Sequence, residues 1–548
     1  MQRIRLFLGM AALAALMCAA VIVGSPYAPV VQACPENIED IWAIEDTRSE
    51  SETPLVTALE NNGIPLAYDA QENVFYCTLG MGNTENWPQL HLHAPGADDV
   101  SLMFVDDYQY DFCDEAIREG YPYQVMAYTD TEFTYFDVVF TGMQQIHVQT
   151  RNDLSVEDVP ARVAVLDENN VLESSARIHY RGGVTSQWPK KGIRIEFTRN
   201  ADGTSKVEMP VPGVGSVKNL VLLPLYADDS MMDYADNTMM RDRLCWDMYG
   251  DMTQTDESFS ARKAIYVELF VNDSYEGVYL MMEPYDNVKE LAKYSVKSPA
   301  SDSVYRVSWM EFGSDRPTHP GAYSKNRQFE LYYAAPQSVN FADLKAYMEI
   351  SEETDEEAFV SKALACMDME YAMRYTLLLQ GLGLTDNVFN NLNIWARNEN
   401  GKTVYHYFPW DLDNSLGARS ERIGSEFERW IYLPAVDRMI SLNAGGIREK
   451  LLNKWTQLRE NGWSLESVER RINLYTSELN DSGAYPRNAQ RWNMEKTTAD
   501  GYEIISFISA RFAMLDTVLS RFAAYDGKID MLDYTDYENR SCSMVDWL

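Results

Sequence analysis

Apolar residues alternate with polar ones through much of the first half of the chain, and take up helical spacing in the second. Val74–Cys77, Gln89–His93, Ser101–Val105 and Glu132–Phe140 read as strands separated by Asn, Gly, Pro and Asp, a pattern that a small β-sandwich satisfies most simply. A second set follows: Ala161–Leu166, Ala176–Tyr180, Gly192–Phe197 and the apolar run Lys218–Tyr226. A helix is expected over about Asp233–Met248. Two strands come next, Ala264–Val271 and Gly277–Met282, joined by the turn Asn272-Asp273-Ser274. Helical spacing then dominates in Phe359–Leu382, Gly446–Asn461, Leu465–Leu479 and Tyr502–Tyr525. Residues 300–340 show neither period and read as a long insertion or lid. Strands first and helices later predict an α+β chain. A β-rich module would span 34–145, a strand-rich lobe about 146–290 and a helical lobe about 340–548.

The first 33 residues stand apart. Arg3 and Arg5 precede an apolar run from Leu6 to Val23, and Val31-Gln32-Ala33 offers small residues before a cut. This is the layout of a signal peptide cleaved after Ala33, or of an N-terminal anchor if it is retained. The protein is therefore expected to be exported, secreted or held at the cell surface. With 46% hydrophobic residues the 548-residue chain can build a large core. Its net charge of −36 argues against nucleic acid and anionic membrane as partners, since both repel an acidic surface. Export permits disulfides, and Cys77 with Cys113 is the best candidate pair among seven cysteines; no CxxC occurs. His91 and His93 would share a strand face, but no third ligand accompanies them, so they read as structural or solvent-facing.

Three segments carry chemistry. In the first, Arg181-Gly182-Gly183-Val184-Thr185-Ser186-Gln187-Trp188-Pro189-Lys190-Lys191, a Gly-containing turn lies between strands, where backbone N–H groups can approach a phosphate. Lys190 or Lys191 would neutralise phosphate charge. Lys191 has the parity of apolar Ile193, Ile195 and Phe197 and is the preferred inward residue, unless the Pro189 turn breaks the register. In the second, Asp386 and Asn391 have the D-x-x-x-x-N spacing of a kinase catalytic loop, in which Asp accepts or orients a hydroxyl proton and Asn binds Mg²⁺. In the third, after a hairpin of Leu392–Arg397 and Thr403–Phe408, Trp410-Asp411-Leu412-Asp413 offers two carboxylates to one hard cation. Each segment alone reads as a solvated turn. Their order, Gly turn and Lys, helix, strand pair, Asp…Asn, hairpin, acidic loop, is that of a protein-kinase active site.

The combination resembles the CotH (spore coat protein H) kinase family. The resemblance rests on Ile178–Ser186 with Pro189-Lys190-Lys191, Leu220–Leu223 with Asp228, Asp229 and Met240-Arg241, Val267–Asn272 with Tyr275–Glu283, Asp386–Asn391 and Trp410–Asp413, across roughly 146–480. It implies an atypical, two-lobed kinase-like fold that transfers the γ-phosphoryl of ATP, with Mg²⁺ or Mn²⁺, to Ser or Thr of an acceptor protein. Asp386 is then the catalytic Asp, with Lys191 beside it, and Asn391, Asp411 and Asp413 are the metal ligands. Arg181, Gly182, Gly183, Lys190, Lys191 and Arg241 would meet the nucleotide phosphates, and the backbone around Glu283 the adenine. Because ATP is scarce outside cells, an inactive, pseudokinase-like surface binding protein is the alternative. A carboxylate-based glycosidase leaves the Lys hairpin and the Asp…Asn loop unexplained.

Overall fold

The computed structural model describes residues 31–32, 38–80, 90–105, 112–182, 186, 188–200, 203, 205–226, 236–294, 302–308, 329–334, 341–418, 427–529 and 541–544. Residues 1–30 of the expected signal segment, the Gly183 turn and the Asp228-Asp229 pair lie outside them, while Val31 and Gln32, just before the expected cut, pair with Leu102 and Met103 in the first module's sheet. None of the described helices is long and apolar enough to cross a membrane.

The strands of the second set close on themselves. β1 (Gln145–Gln149), β2 (Val159–Leu166), β3 (Val171–Arg181), β4 (Gly192–Thr198) and β5 (Asn219–Leu223) pair antiparallel in sequence order. After helix α1 (Arg241–Gly250), β6 (Ala264–Val271) and β7 (Tyr275–Met282) form a hairpin. β7 joins β5 and β6 runs parallel to β1, giving a closed barrel in the order β1-β2-β3-β4-β5-β7-β6. Alternation decides its packing. Ile193, Ile195, Leu220, Leu222, Leu269 and Met281 fill one core, whereas Val221, Leu223, Tyr266, Val278, Leu280 and Met282 join the larger core of the helical half. Closure also leaves no sheet edge exposed.

Residues 300–340 are not patternless in three dimensions. β8 (Ser303–Ser308) and β9 (Phe329–Ala334) pair with each other. Beyond α2 (Met369–Leu382) lie β10 (Asn390–Glu399) and β11 (Lys402–Pro409), and the four strands form one sheet in the order β9-β8-β10-β11. Ser303, Val304 and Tyr305 are buried in succession and Val307 is buried beyond them, so neither the two-residue nor the helical period marks β8. The rest of this half is mainly helical, including α3 (Ala484–Arg491) and α4 (Tyr502–Ala524), with one short antiparallel strand pair, Arg429–Ile431 and Ser541–Ser543. The molecule is thus mixed α and β. The expected helix over Asp233–Met248 is seen as Arg241–Gly250, with 231–235 outside the described residues.

The first module departs from the expected all-β sandwich. It is a seven-stranded mixed sheet with helices Ile38–Thr47 and Cys113–Glu119, beside a small three-stranded sheet. Cys113, Ala116 and Ile117 are buried at helical spacing and Gly120 closes that helix in the left-handed region, a seven-residue signal too short to stand out from strand spacing. Cys77 and Cys113 share the module's core as free thiols; burial pushes them up to about 12 and about 11. The module meets the barrel at a buried ion pair between the barrel and α3, to which it contributes the Thr141 hydroxyl. Arg487 of α3 donates from Nε and Nη2 to the two oxygens of fully buried Glu268, each at 3.0 Å, and Thr141 and Tyr275 donate to the same carboxylate.

Candidate active site

α2 aims the Asp386–Asn391 segment. The Asp368 carboxylate caps its start by accepting the N–H groups of Glu370 and Tyr371. Gly383 ends it at φ 66°, where a Cβ would lie 2.8 Å from the Phe507 ring. Asp386–Phe389 then forms one helical turn rather than an irregular loop, and β10 starts at Asn390.

That turn gathers the residues read from sequence. Asp386 Oδ2 accepts from Asn390 Nδ2 at 3.1 Å and from Asn391 Nδ2 at 3.0 Å. Asn391 Nδ2 also lies 3.5 Å from Asp411 Oδ2, so the carboxamide bridges the two carboxylates. Asn391 and Asp411 sit at φ 54° and 60°, a region that costs most L-residues about 1–2 kcal/mol and is tolerated best by Asn and Asp. Buried Asn387, inside the motif but given no role by its spacing, locks the two loops together: its Nδ2 donates to Trp410 O at 2.7 Å, and its own carbonyl accepts the Tyr375 hydroxyl at 2.6 Å. Leu416 N donates to Leu382 O at 2.7 Å, fixing the far end of the acidic loop to the end of α2. Asp413 is exposed.

Two further residues converge here without a sequence signal. Asp242, in the first turn of α1, is 3% exposed and its Oδ1 has no hydrogen-bond partner. Burial, then Asp413, Asp411 and Asp236, hold its pKa well above the usual carboxylate range. Arg306 of β8 and Arg181 at the end of β3 each place a guanidinium carbon 5.8 Å from the Trp410 ring centroid, next to Asp411. Tyr285, just past β7, packs on the same indole at 5.7 Å, which brings the strand pair's exit, with Glu283, toward the acidic loop.

The Gly-turn side differs from expectation in its lysines. Lys190, not Lys191, is the fully buried one: its Nζ donates to Val278 O and to Asn488 Oδ1 at 2.7 Å, between the rings of Tyr279 and Trp492. Desolvation holds its pKa well below the ordinary lysine value. Half-buried Lys191 donates to Ser186 O and Trp188 O within its own turn, at 2.8 and 3.1 Å. The bend at Pro189 breaks the register from which the inward face was read. Arg241 is paired with Asp236 and Glu503, and Glu283 with Lys289 at 2.9 Å, so both side chains are engaged within the protein. Gly182 is exposed at φ 122°.

The residues fit a divalent cation. Among the described residues no three His, Cys, Asp or Glu side chains stand ready as a cage. A cation that shares its shell with phosphate needs only one or two carboxylates, and here a buried, orphaned carboxylate oxygen backs a loop that carries two more.

No curated protein matches the chain significantly. The family model described as CotH kinase protein matches residues 178–515, well over half of the 548 residues, from the strand before the Gly turn to the middle of α4. With its catalytic-loop spacing, acidic loop and strand-pair exit all inside that match, the chain belongs to the CotH kinase family.

Proposed function

We propose that this chain is an exported, ATP- and divalent-cation-dependent phosphotransferase that acts on Ser or Thr hydroxyls of an acceptor protein. In this reading the barrel and α1 form the nucleotide-side lobe of a two-lobed kinase-like domain, and α2 and the helices after it form the acceptor-side lobe. The observation that carries it is the chain Asp386 Oδ2 – Asn391 Nδ2 – Asp411 Oδ2, at 3.0 and 3.5 Å, which joins the acceptor-side carboxylate to the cation-side carboxylate through one side chain. Asp386 accepts or orients the acceptor hydroxyl's proton. The Asn391 carboxamide oxygen, with Asp411 and Asp413, would hold Mg²⁺ or Mn²⁺, which when bound neutralises charge on the nucleotide phosphates. Arg181 and Arg306 offer positive charge beside the same loop, and the backbone at Met282–Tyr285 offers hydrogen bonds to a purine edge.

One observation favours the alternative, a surface binding protein without activity. Lys190 and Lys191 both donate to protein carbonyls, and neither forms one of the described ion pairs with a carboxylate. The two readings separate in a nucleotide-binding titration. The phosphotransferase reading expects ATP affinity that requires Mg²⁺ or Mn²⁺ and is lost in Asp411→Asn, a change that keeps a residue suited to φ 60°. Equal affinity in chelator, or no affinity for any nucleotide, would leave the binding-protein reading standing.

A further inference from the structure

We propose that Arg511 and Gln380 are positioning residues for Asp386: together they fix the end of α2 against the chain that returns from the acidic loop. The inference deepens the phosphotransferase reading and rests on it. Arg511 lies in α4, 1% exposed, on a helix whose other buried residues include Ile508, Phe512 and Leu515. Its described hydrogen bonds all go to uncharged oxygens. Nε donates to Gln380 O, and Nη2 to Gln380 Oε1 at 3.1 Å. Nη1 donates to Phe427 O at 2.8 Å and to Arg429 O. Gln380, fully buried in the last turn of α2, reaches the same strand: its Nε2 donates to Ile431 O at 2.7 Å, and its Oε1 accepts Ile431 N at 3.0 Å.

Burying a cation without a carboxylate is costly, and the apolar neighbours in α4 show that packing alone does not call for it. The compensation here is specific. Gln380 O is one of the last four carbonyls of α2, the negative end of the helix dipole, where a cation is favourable. A guanidinium holds its donors in a rigid fork, so one side chain can tie that helix end to two carbonyls of another segment. The last turn of α2 thereby carries three attachments. Leu379 O accepts Leu384 N, just before the Asp386 turn, and Leu382 O accepts Leu416 N, at the far end of the acidic loop. Gln380 and Arg511 take the returning residues Phe427, Arg429 and Ile431. Loosening this turn shifts Asp386 relative to the acidic loop.

The test compares Arg511→Met with Arg448→Met in the whole chain. Arg448 is the matched control: it is equally buried and donates to Ile440 O, Ser441 O, Tyr525 O and Gly527 O, none of them in α2 or the acidic loop. Both variants should lower the urea midpoint. Arg511→Met alone should speed amide hydrogen exchange at Leu384, Leu416 and Ile431, whose N–H groups all end on the last turn of α2. It alone should slow phosphate transfer, by about 10²-fold, the effect of misplacing a reacting group by about 1 Å, with the KM for Mg²⁺-ATP nearly unchanged. If Arg511→Met does not fold, Gln380→Glu decides. That change is nearly isosteric, keeps an acceptor for Arg511 and removes the donor to Ile431 O, so it should slow transfer and speed exchange at Ile431. Transfer and exchange left at wild-type values in the folded variant, or changed equally in Arg448→Met, overturn the proposal and leave the phosphotransferase reading standing. A wild type that transfers no phosphate overturns both.

Discussion

At the scale of single residues, the site depends on amides as much as on acids. Asn387 uses its Nδ2 on Trp410 O and its backbone carbonyl on Tyr375, so Asn387→Ala leaves buried polar groups unpaired. We expect a loss of about 1–3 kcal/mol in urea unfolding and a drop in turnover from a misplaced acidic loop. Asp386→Asn should behave differently. The shape is kept, nucleotide affinity should be nearly intact, and transfer should slow about 10²–10⁴-fold, the range for a general base or orienting group. A variant as fast as wild type would remove Asp386 from the role given to it. His406 sets a pH dependence. It is fully buried between Trp395 and Tyr371, and burial lowers its pKa to about 4, even with Glu399 and Asp368 within 3.6 and 4.0 Å. The unfolded imidazole takes a proton below its ordinary value near 6.5, and the folded one only near 4. Stability should therefore be fully present above pH 6.5 and fall by about 3 kcal/mol as pH drops to 4. His406→Phe should flatten that slope in urea midpoints measured at pH 7.5 and 4.5.

At the scale of elements, the residues that end helices and strands decide where the chemistry sits. Phe359–Leu382 reads as one helix, yet it is two, Glu356–Cys366 and α2, because Asp368 caps a new start after extended Met367. Without that break α2 would not aim its end at Asp386. Gly383→Ala is expected to cost more than the usual 1 kcal/mol or so for forcing a left-handed φ, since the added Cβ also meets Phe507; a thermal melt checks it. Strands with regular alternation were legible in the sequence: Ala264–Val271 was read with its observed bounds, and the β10–β11 hairpin within two residues at each end. β8 was not, because burial at successive positions erases the period that marks a strand. Arg306 was hidden for the same reason. It reaches the site only because β8 pairs with β10, opposite Asn393. Asp242 was hidden because a first-turn acid is ordinary in sequence, and only the fold removes its water. The lysine order was misread where Pro189 broke the alternation that parity arguments require.

At the scale of the whole molecule, the first module is not a loose attachment. The Glu268–Arg487 pair, with Thr141 and Tyr275, lies where the module, the barrel and α3 meet, and Tyr76 packs there against Phe270 and Tyr275. Arg487→Ala leaves Glu268 buried without its cation, a loss of about 3–5 kcal/mol, which a denaturant titration would show. A chain beginning near Ile146 exposes the same seam and should be less stable than the whole, even though the module precedes every residue given a catalytic role. The central claim, that this member of the CotH kinase family transfers phosphate, is tested most directly by incubating the chain from residue 34 with γ-labelled ATP and Mg²⁺ or Mn²⁺, and following label into itself and into added proteins. Metal-dependent incorporation on Ser or Thr is expected in wild type, abolished in Asp411→Asn and slowed about 10²–10⁴-fold in Asp386→Asn. No incorporation with either metal, or incorporation that both variants retain in full, would contradict it.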